Sequence, residues 1–285
     1  MKKITKDSIK VIDSIIKDIG NPPDLVVKTL PFLGSYIHII FIESVSDRTT
    51  INKFILEFFK NEIKEKDNNL DLIKYLKTKL PSGKIGKISK YDELLYSVMA
   101  GLTVILVDGY DEALAIETRG QLNSSINEAQ FEAAIKGPKD AFTENFQTNI
   151  GLIRKRLKDE NLKLEEFIAG TRSKTKIGII YISDIASTDL VKEITRKIQD
   201  INIDSINDSN YVIDLISENK GNIFSNYLPT ERPDRVTSGL LEGKIAIVVE
   251  NTPYVVIVPT LFVDFFRAPD DYYQKTIHVN YIRLL

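Results

Sequence analysis

Residues 36–56 read YIHIIFIESVSDRTTINKFIL, and residues 176–196 read KIGIIYISDIASTDLVKEITR. Each opens with an apolar run of strand length, crosses a short polar turn, and continues with apolar residues at helical spacing. In the first copy these are Ile51, Phe54, Ile55, Phe58 and Phe59; in the second they are Leu190, Val191, Ile194 and Ile198. A second pair repeats in the same order: YDELLYSVMAGLTVILVDGYDEALAIE at 91–117 and PDRVTSGLLEGKIAIVVENTPYVVIVP at 233–259. Each reads as a short helix, a glycine, an apolar strand, a tight turn and another apolar strand. Gly101 and Gly243 suit helix termination, since glycine enters left-handed backbone at low cost. Asp108-Gly109 is a hairpin signal and Asn251-Thr252-Pro253 a looser one.

The offset is about 140 residues for Phe41 and Tyr181, and about the same for the two glycines. Shared element order, turn position and offset imply an internal duplication. The expected class is α/β: two similar α/β subdomains at 31–120 and 171–268, with a helical connector at 121–170. One crossover and one hairpin per half predict mixed sheets. In the connector, Gly137-Pro138 marks a turn, and Phe142, Phe146, Ile150, Ile153 and Leu157 share a helix face, with Thr143 as the N-cap. Asn145, Asn149 and Arg156 fall on another face, read first as solvated and second as turned into a groove between the halves. Residues 1–30 form an N-terminal amphipathic helix through Ile4, Val11, Ile12, Ile15, Ile16 and Ile19, and 269–285 form a trailing segment.

Composition narrows the chemistry. The 285 residues are 43% hydrophobic and 27% charged with net charge −2, so no global field draws nucleic acid or anionic lipid. Without cysteine, thiolate metal sites, disulfides and a Cys nucleophile are excluded. The two histidines, His38 and His278, are far apart in sequence, and His38 lies inside an apolar run, as a core residue would. No run approaches the ~18 apolar residues of a membrane span. PSGKIGK at 81–87 lacks phosphate-loop spacing and reads as a turn before a strand. Asp108, Asp111, Glu112 and Glu117 match no calcium loop. No catalytic constellation, metal site or cofactor is expected, and an enzyme is the weaker class.

The segment LPTERPDRV at 228–236 concentrates charge. Pro233 suits a first helical turn and Asp234 opposes the positive helix end there, as Asp92 does in the first copy. Capping does not account for Glu231, Arg232 and Arg235. They are expected to form an ion-pair network tying the second half to the connector near Glu144–Arg156; the alternative is a grip on a carboxylate or phosphate ligand. The ligand or inter-domain candidates are Arg119, Glu144, Asn145, Arg172, Glu231, Arg232, Asp234 and Arg235.

Three stretches carry a family resemblance. GPKDAFTENFQTNIGLIRKRL (137–157), TERPDRV (230–236) and EGKIAIVVENTPYVVIVPTLFVDFFRAPDDYY (242–273) resemble, in order and spacing, signatures of the A subunits of GerA-family spore germinant receptors. SpoVAF-like proteins share these signatures. Ala129, Lys139 and Ala141 stand where the family commonly has proline, arginine and glycine. The resemblance implies a soluble N-terminal domain preceding several membrane-spanning helices in a protein of the spore inner membrane, facing the core. It implies B and C subunits as partners, oligomers of A subunits, and a role in relaying an amino acid, sugar or nucleoside signal to ion release and germination. A direct nutrient-binding module, with ligand between the two halves, is the rival expectation.

Overall fold

The computed structural model describes residues 3–61, 71–82, 84–120, 129, 132, 137–217 and 226–260. The two runs that open the sequence reading become the second strand of each of two five-stranded sheets. The chain divides into two compact units, one of residues 1–122 with 157–161 and one of 123–156 with 162–285.

In the first unit, α1 (Ser8–Ile19) leads into β1 (Leu25–Phe32) and β2 (Ser35–Ile42). A continuous helical stretch follows: α2 (Arg48–Thr50), a π-helical segment (Ile51–Leu56) and α3 (Glu57–Asn61). Then come α4 (Leu72–Lys79), β3 (Ile85–Ile88), α5 (Tyr91–Met99), β4 (Thr103–Val107) and β5 (Ala113–Ile116). The second unit repeats this element by element. Its order is α6 (Phe146–Arg156), β6 (Leu162–Ala169), β7 (Thr175–Ile182), α7 (Thr188–Gln199), α8 (Ser209–Ile216), β8 (Leu228–Thr230), α9 (Pro233–Leu241), β9 (Ile245–Val249) and β10 (Val255–Val258). The sheet orders, β1-β2-β4-β5-β3 and β6-β7-β9-β10-β8, are the same permutation.

The class is α/β as expected, but the strand pairings are antiparallel, not mixed. The crossover through α5 does join two strands of like direction, β3 and β4. However, β5 inserts between them and pairs antiparallel with both. The second sheet places β10 between β8 and β9 in the same way. A parallel connection therefore exists in each unit without a parallel ladder.

The boundaries also differ from those read in the sequence. Residue 171 falls inside the β6–β7 hairpin, and β1 begins at Leu25. The helix assigned to a connector is the first helix of the second repeat. Two matched pairs of backbone hydrogen bonds establish the equivalence. Gly109 N–H donates to Lys6 C=O at 2.9 Å, and Asn251 N–H donates to Glu144 C=O at 3.0 Å. Ile4 N–H donates to Ser89 C=O at 3.2 Å, and Phe142 N–H donates to Glu231 C=O at 2.8 Å. Thus α1 and α6 enter their units over the same turn and the same pre-helix loop.

Each unit buries its sheet under helices. In the first, α1 and α5 cover one face through Ile12, Ile15, Ile19, Leu94 and Val98, and the π segment, α3 and α4 cover the other through Ile51, Ile55, Phe59 and Leu76. In the second, Val191, Ile194, Ile198, Val212 and Ile216 of α7 and α8 close the equivalent face. At β2 and β7 the repeats diverge. His38 of the first corresponds to Gly178 of the second, where a Cβ would lie 3.0 Å from the Phe146 ring of α6. The glycine lets the aromatic ring reach the sheet. His38 instead docks α1 through Ser8, whose Oγ lies 3.0 Å from Nε2, while Thr29 Oγ1 of β1 lies 2.9 Å from Nδ1.

The predicted terminators behave as such. Gly101 and Gly243 have φ of 85° and 83°, and a Cβ on Gly101 would sit 2.6 Å from the Val45 carbonyl oxygen. The expected trailing segment 269–285 lies outside the described residues.

Candidate functional site

The charged segment of the second unit is a buried network built at the start of α9. Pro233 occupies the first helical turn, and Arg232 is the N-cap residue with extended backbone and no side-chain cap bond. Its guanidinium, in a residue 1% exposed, turns away from the helix end. Nε donates to Asp234 Oδ1 at 3.1 Å and Nη2 to Asp234 Oδ2 at 2.7 Å, a bidentate pair. Nη1 donates to the Glu132 carbonyl and Nη2 to the Pro138 carbonyl, both at 3.0 Å. One arginine thereby ties Glu132 and Pro138 to the start of α9.

Glu132 is itself bonded to the residues around the helix start. Its Oε2 accepts from the Thr230 hydroxyl and from Glu231 N–H at 3.1 Å, and its Oε1 accepts from Arg235 Nη1. Its own N–H donates to Glu231 Oε1 at 2.7 Å. Glu132 and Glu231 therefore exchange backbone-to-carboxylate bonds. Burial first, then the negative Glu231 and Glu132, raise the Tyr254 phenol above its ordinary pKa, so this ring lies in the network's field.

Two arginines here face three carboxylates and two backbone carbonyls, and the described Arg232 donors are directed to internal acceptors. The arrangement can clamp a loop to a helix start. The expected tie to Glu144 is replaced by one to Glu132: Glu144 is exposed, and its carbonyl accepts from Asn251. Sequence reasoning missed Glu132 because nothing local marks a partner 99 residues from Glu231.

The other candidates disperse. Asn145 caps α6, its side chain accepting from Thr148 N–H at 2.9 Å, in place of the expected Thr143. Thr143 packs back on Asn149, whose amide spans Thr143 N–H and C=O at 2.8 and 2.6 Å. Asn149 is therefore buried, not on a solvated face, and Arg156 Nη2 donates to both Asp140 oxygens at 2.6 and 2.7 Å. Arg119 pairs with Glu117 in the first unit, lowering the carboxyl pKa of that glutamate by hydrogen bonding. Arg172 is exposed in the β6–β7 turn, 3.8 Å from Asp204. Among the described residues no cluster of three or more His, Asp or Glu is placed to hold a metal ion, and no helix is long and apolar enough to cross a membrane.

A second polar chain, Asp108–Ser8–His38–Thr29, is not a nucleophile relay. The Ser8 hydroxyl donates to Asp108 at 2.8 Å and stands between carboxylate and imidazole, whereas a relay needs the imidazole between them. Burial lowers the His38 pKa, with Asp108 opposing. The chain fixes α1 to the sheet.

Residues 13–285 match the model of the Bacillus/Clostridium GerA spore germination protein family. The chain belongs to the GerA family. Among GerA-family relatives, spore germination protein KA of Bacillus subtilis is 34% identical over 99% of this chain and 52% of its own length. Spore germination protein B1 of the same organism is 32% identical over 99% of this chain and 59% of its own length. The chain thus spans little more than half the length of these relatives. A crystal structure of the N-terminal domain of the A subunit of the Bacillus megaterium spore germinant receptor GerK3 superposes with a TM-score of 0.66 at 30% identity, covering 92% of this chain and 98% of that one. Two of the three departures from the GerA pattern sit in the clamped stretch itself. Ala129 N–H donates to the Lys139 carbonyl at 2.9 Å. Ala141, the third, is 2% exposed beside it.

Proposed function

We propose that this chain is the N-terminal domain of a spore germinant receptor A subunit, acting in nutrient signal transduction and receptor assembly, without covalent chemistry. The observation that carries the reading is the superposition on nearly the whole GerK3 A-subunit domain, at an identity where fold and family agree. The geometry favours transduction over direct sensing at the charged motif, because Arg232 is committed to Asp234 and to two backbone carbonyls. In this reading the full-length protein sits in the spore inner membrane with this domain on the core side. It works with B and C subunits and with further A subunits.

The test is genetic. Spores lacking the protein should lose their response to at least one nutrient class, amino acid, sugar or nucleoside. They should still germinate with a cationic surfactant that bypasses receptors. An unchanged response to every nutrient would sink the proposal. A thermal-shift screen of the domain against the same nutrients separates transducer from sensor, because a ligand that binds only the folded state raises the midpoint. The transducer reading expects no nutrient to raise the midpoint of the isolated domain.

A further inference from the structure

The first unit has a groove of about 460 Å³ between edge strand β1 and the helical stretch that contains the π segment. Lys28 and Leu30 line it from the strand, and Asn52, Glu57, Phe59 and Lys60 from the helix. The size is that of a small-molecule site. The π segment, Ile51–Leu56, forms part of this wall, and such segments recur where helices carry function.

The lysine is out of place for packing. Residues two apart on a strand share a face. Val26, Leu30 and Phe32 of β1 join the helix-covered core, and Lys28 interrupts that row. A charge on an edge strand also guards against strand pairing, but that role does not call for a second lysine from the opposite wall. Among the described residues, Lys28, Asn52, Glu57 and Lys60 form no side-chain hydrogen bond or ion pair.

The duplicated unit offers an internal control. The register places Glu165 of β6 where Lys28 stands in β1. There the Tyr181 hydroxyl donates to Glu165 at 2.8 Å, and burial together with that bond pushes the phenol pKa up to about 12. In the first unit Phe41 holds the position of Tyr181 and has no group to offer Lys28. One repeat satisfies its charge internally; the other leaves it facing a groove.

We propose that this groove binds a small monocarboxylate with an apolar body. Lys28 and Lys60 take the carboxylate, and Leu30 and Phe59 take the apolar part. Two ammonium groups against the single carboxylate of Glu57 leave one positive charge, which matches one anionic group and disfavours a dianion. Asn52 supplies an amide for orientation. The proposal is independent of the receptor reading.

The test titrates the full 285-residue chain with 3-phenylpropionate and with its neutral counterpart 3-phenylpropanamide, following backbone amides by two-dimensional NMR. Saturable shifts confined to β1 and the 51–60 helix are expected for the acid, with Kd of about 1 mM or tighter. Binding should be roughly tenfold weaker or more for the amide and for Lys28→Gln/Lys60→Gln. Both lysines are exposed and form no side-chain hydrogen bond or ion pair among the described residues, so the variant should keep its thermal midpoint. Equal affinity for acid and amide would overturn the carboxylate assignment. Shifts away from the groove, or no saturation by about 20 mM, would overturn the site.

Discussion

Removing the Arg232 guanidinium should unfold the second unit selectively. The side chain is 1% exposed, and Asp234, which takes two of its bonds, is 13% exposed at its side chain. Arg232→Ala deletes four hydrogen bonds, two to a carboxylate and two to carbonyls. It leaves Asp234 with a charge in a largely dry site. Breaking a buried pair from one side costs about 3–5 kcal/mol. At a urea slope near 2 kcal/mol per molar, the midpoint should fall by about 2 M. Two units need not unfold together, so hydrogen exchange of α9 and β9 amides is the readout, with β2 and β4 as reference. Arg232→Met/Asp234→Asn should recover part of the loss, since no uncompensated charge remains. Arg172→Ala, at an exposed pair, should change little. A double-mutant cycle between Arg235 and Glu132 should show coupling of about 1–3 kcal/mol, whereas Arg235 and Glu144 should be additive. If Arg232→Ala stays within about 1 kcal/mol of the parent, or if Glu144 carries the coupling, the clamp described here is wrong.

Three further outcomes are expected. Burial lowers the folded-state pKa of His38, so the unfolded chain binds the extra proton first as pH drops. First-unit stability should be full above the ordinary histidine pKa and decline below it, and His38→Gln should flatten that slope between about pH 7.5 and 5.5 in thermal melts. Gly101→Ala combines positive φ with a 2.6 Å approach to the Val45 carbonyl and should cost roughly 2–4 kcal/mol, while Gly109→Ala, with open space around it, should cost about 1 kcal/mol in the same denaturation assay. Gly178→Ala pushes a methyl against the Phe146 ring and should cost about 1–3 kcal/mol, with β7 and α6 amides losing exchange protection together.

The duplication was legible because strand runs and glycine stops are local signals. The apolar runs at 36–42 and 176–182 report burial on both sheet faces, and Gly101 and Gly243 report left-handed backbone; each needs only its own neighbours to be read. The α1–α6 equivalence was not legible. SIKVIDSIIKDI and FQTNIGLIRKR share only the apolar spacing common to amphipathic helices, and the matching hydrogen bonds at their entries reveal the correspondence.

What the sequence by itself determined is therefore the α/β alternation, the repeat, the helix start at Pro233 and the family. Those rest on periodicity, on backbone preferences of single residues and on contiguous motifs. What only the tertiary structure decided is who meets whom. It decided that β5 separates β3 from β4, that Arg232 reaches Glu132 and Pro138, and that Lys28 faces a groove where Glu165 is satisfied by Tyr181. Such pairings join residues tens of positions apart, and a charge carries no local mark of the partner that folding will bring to it.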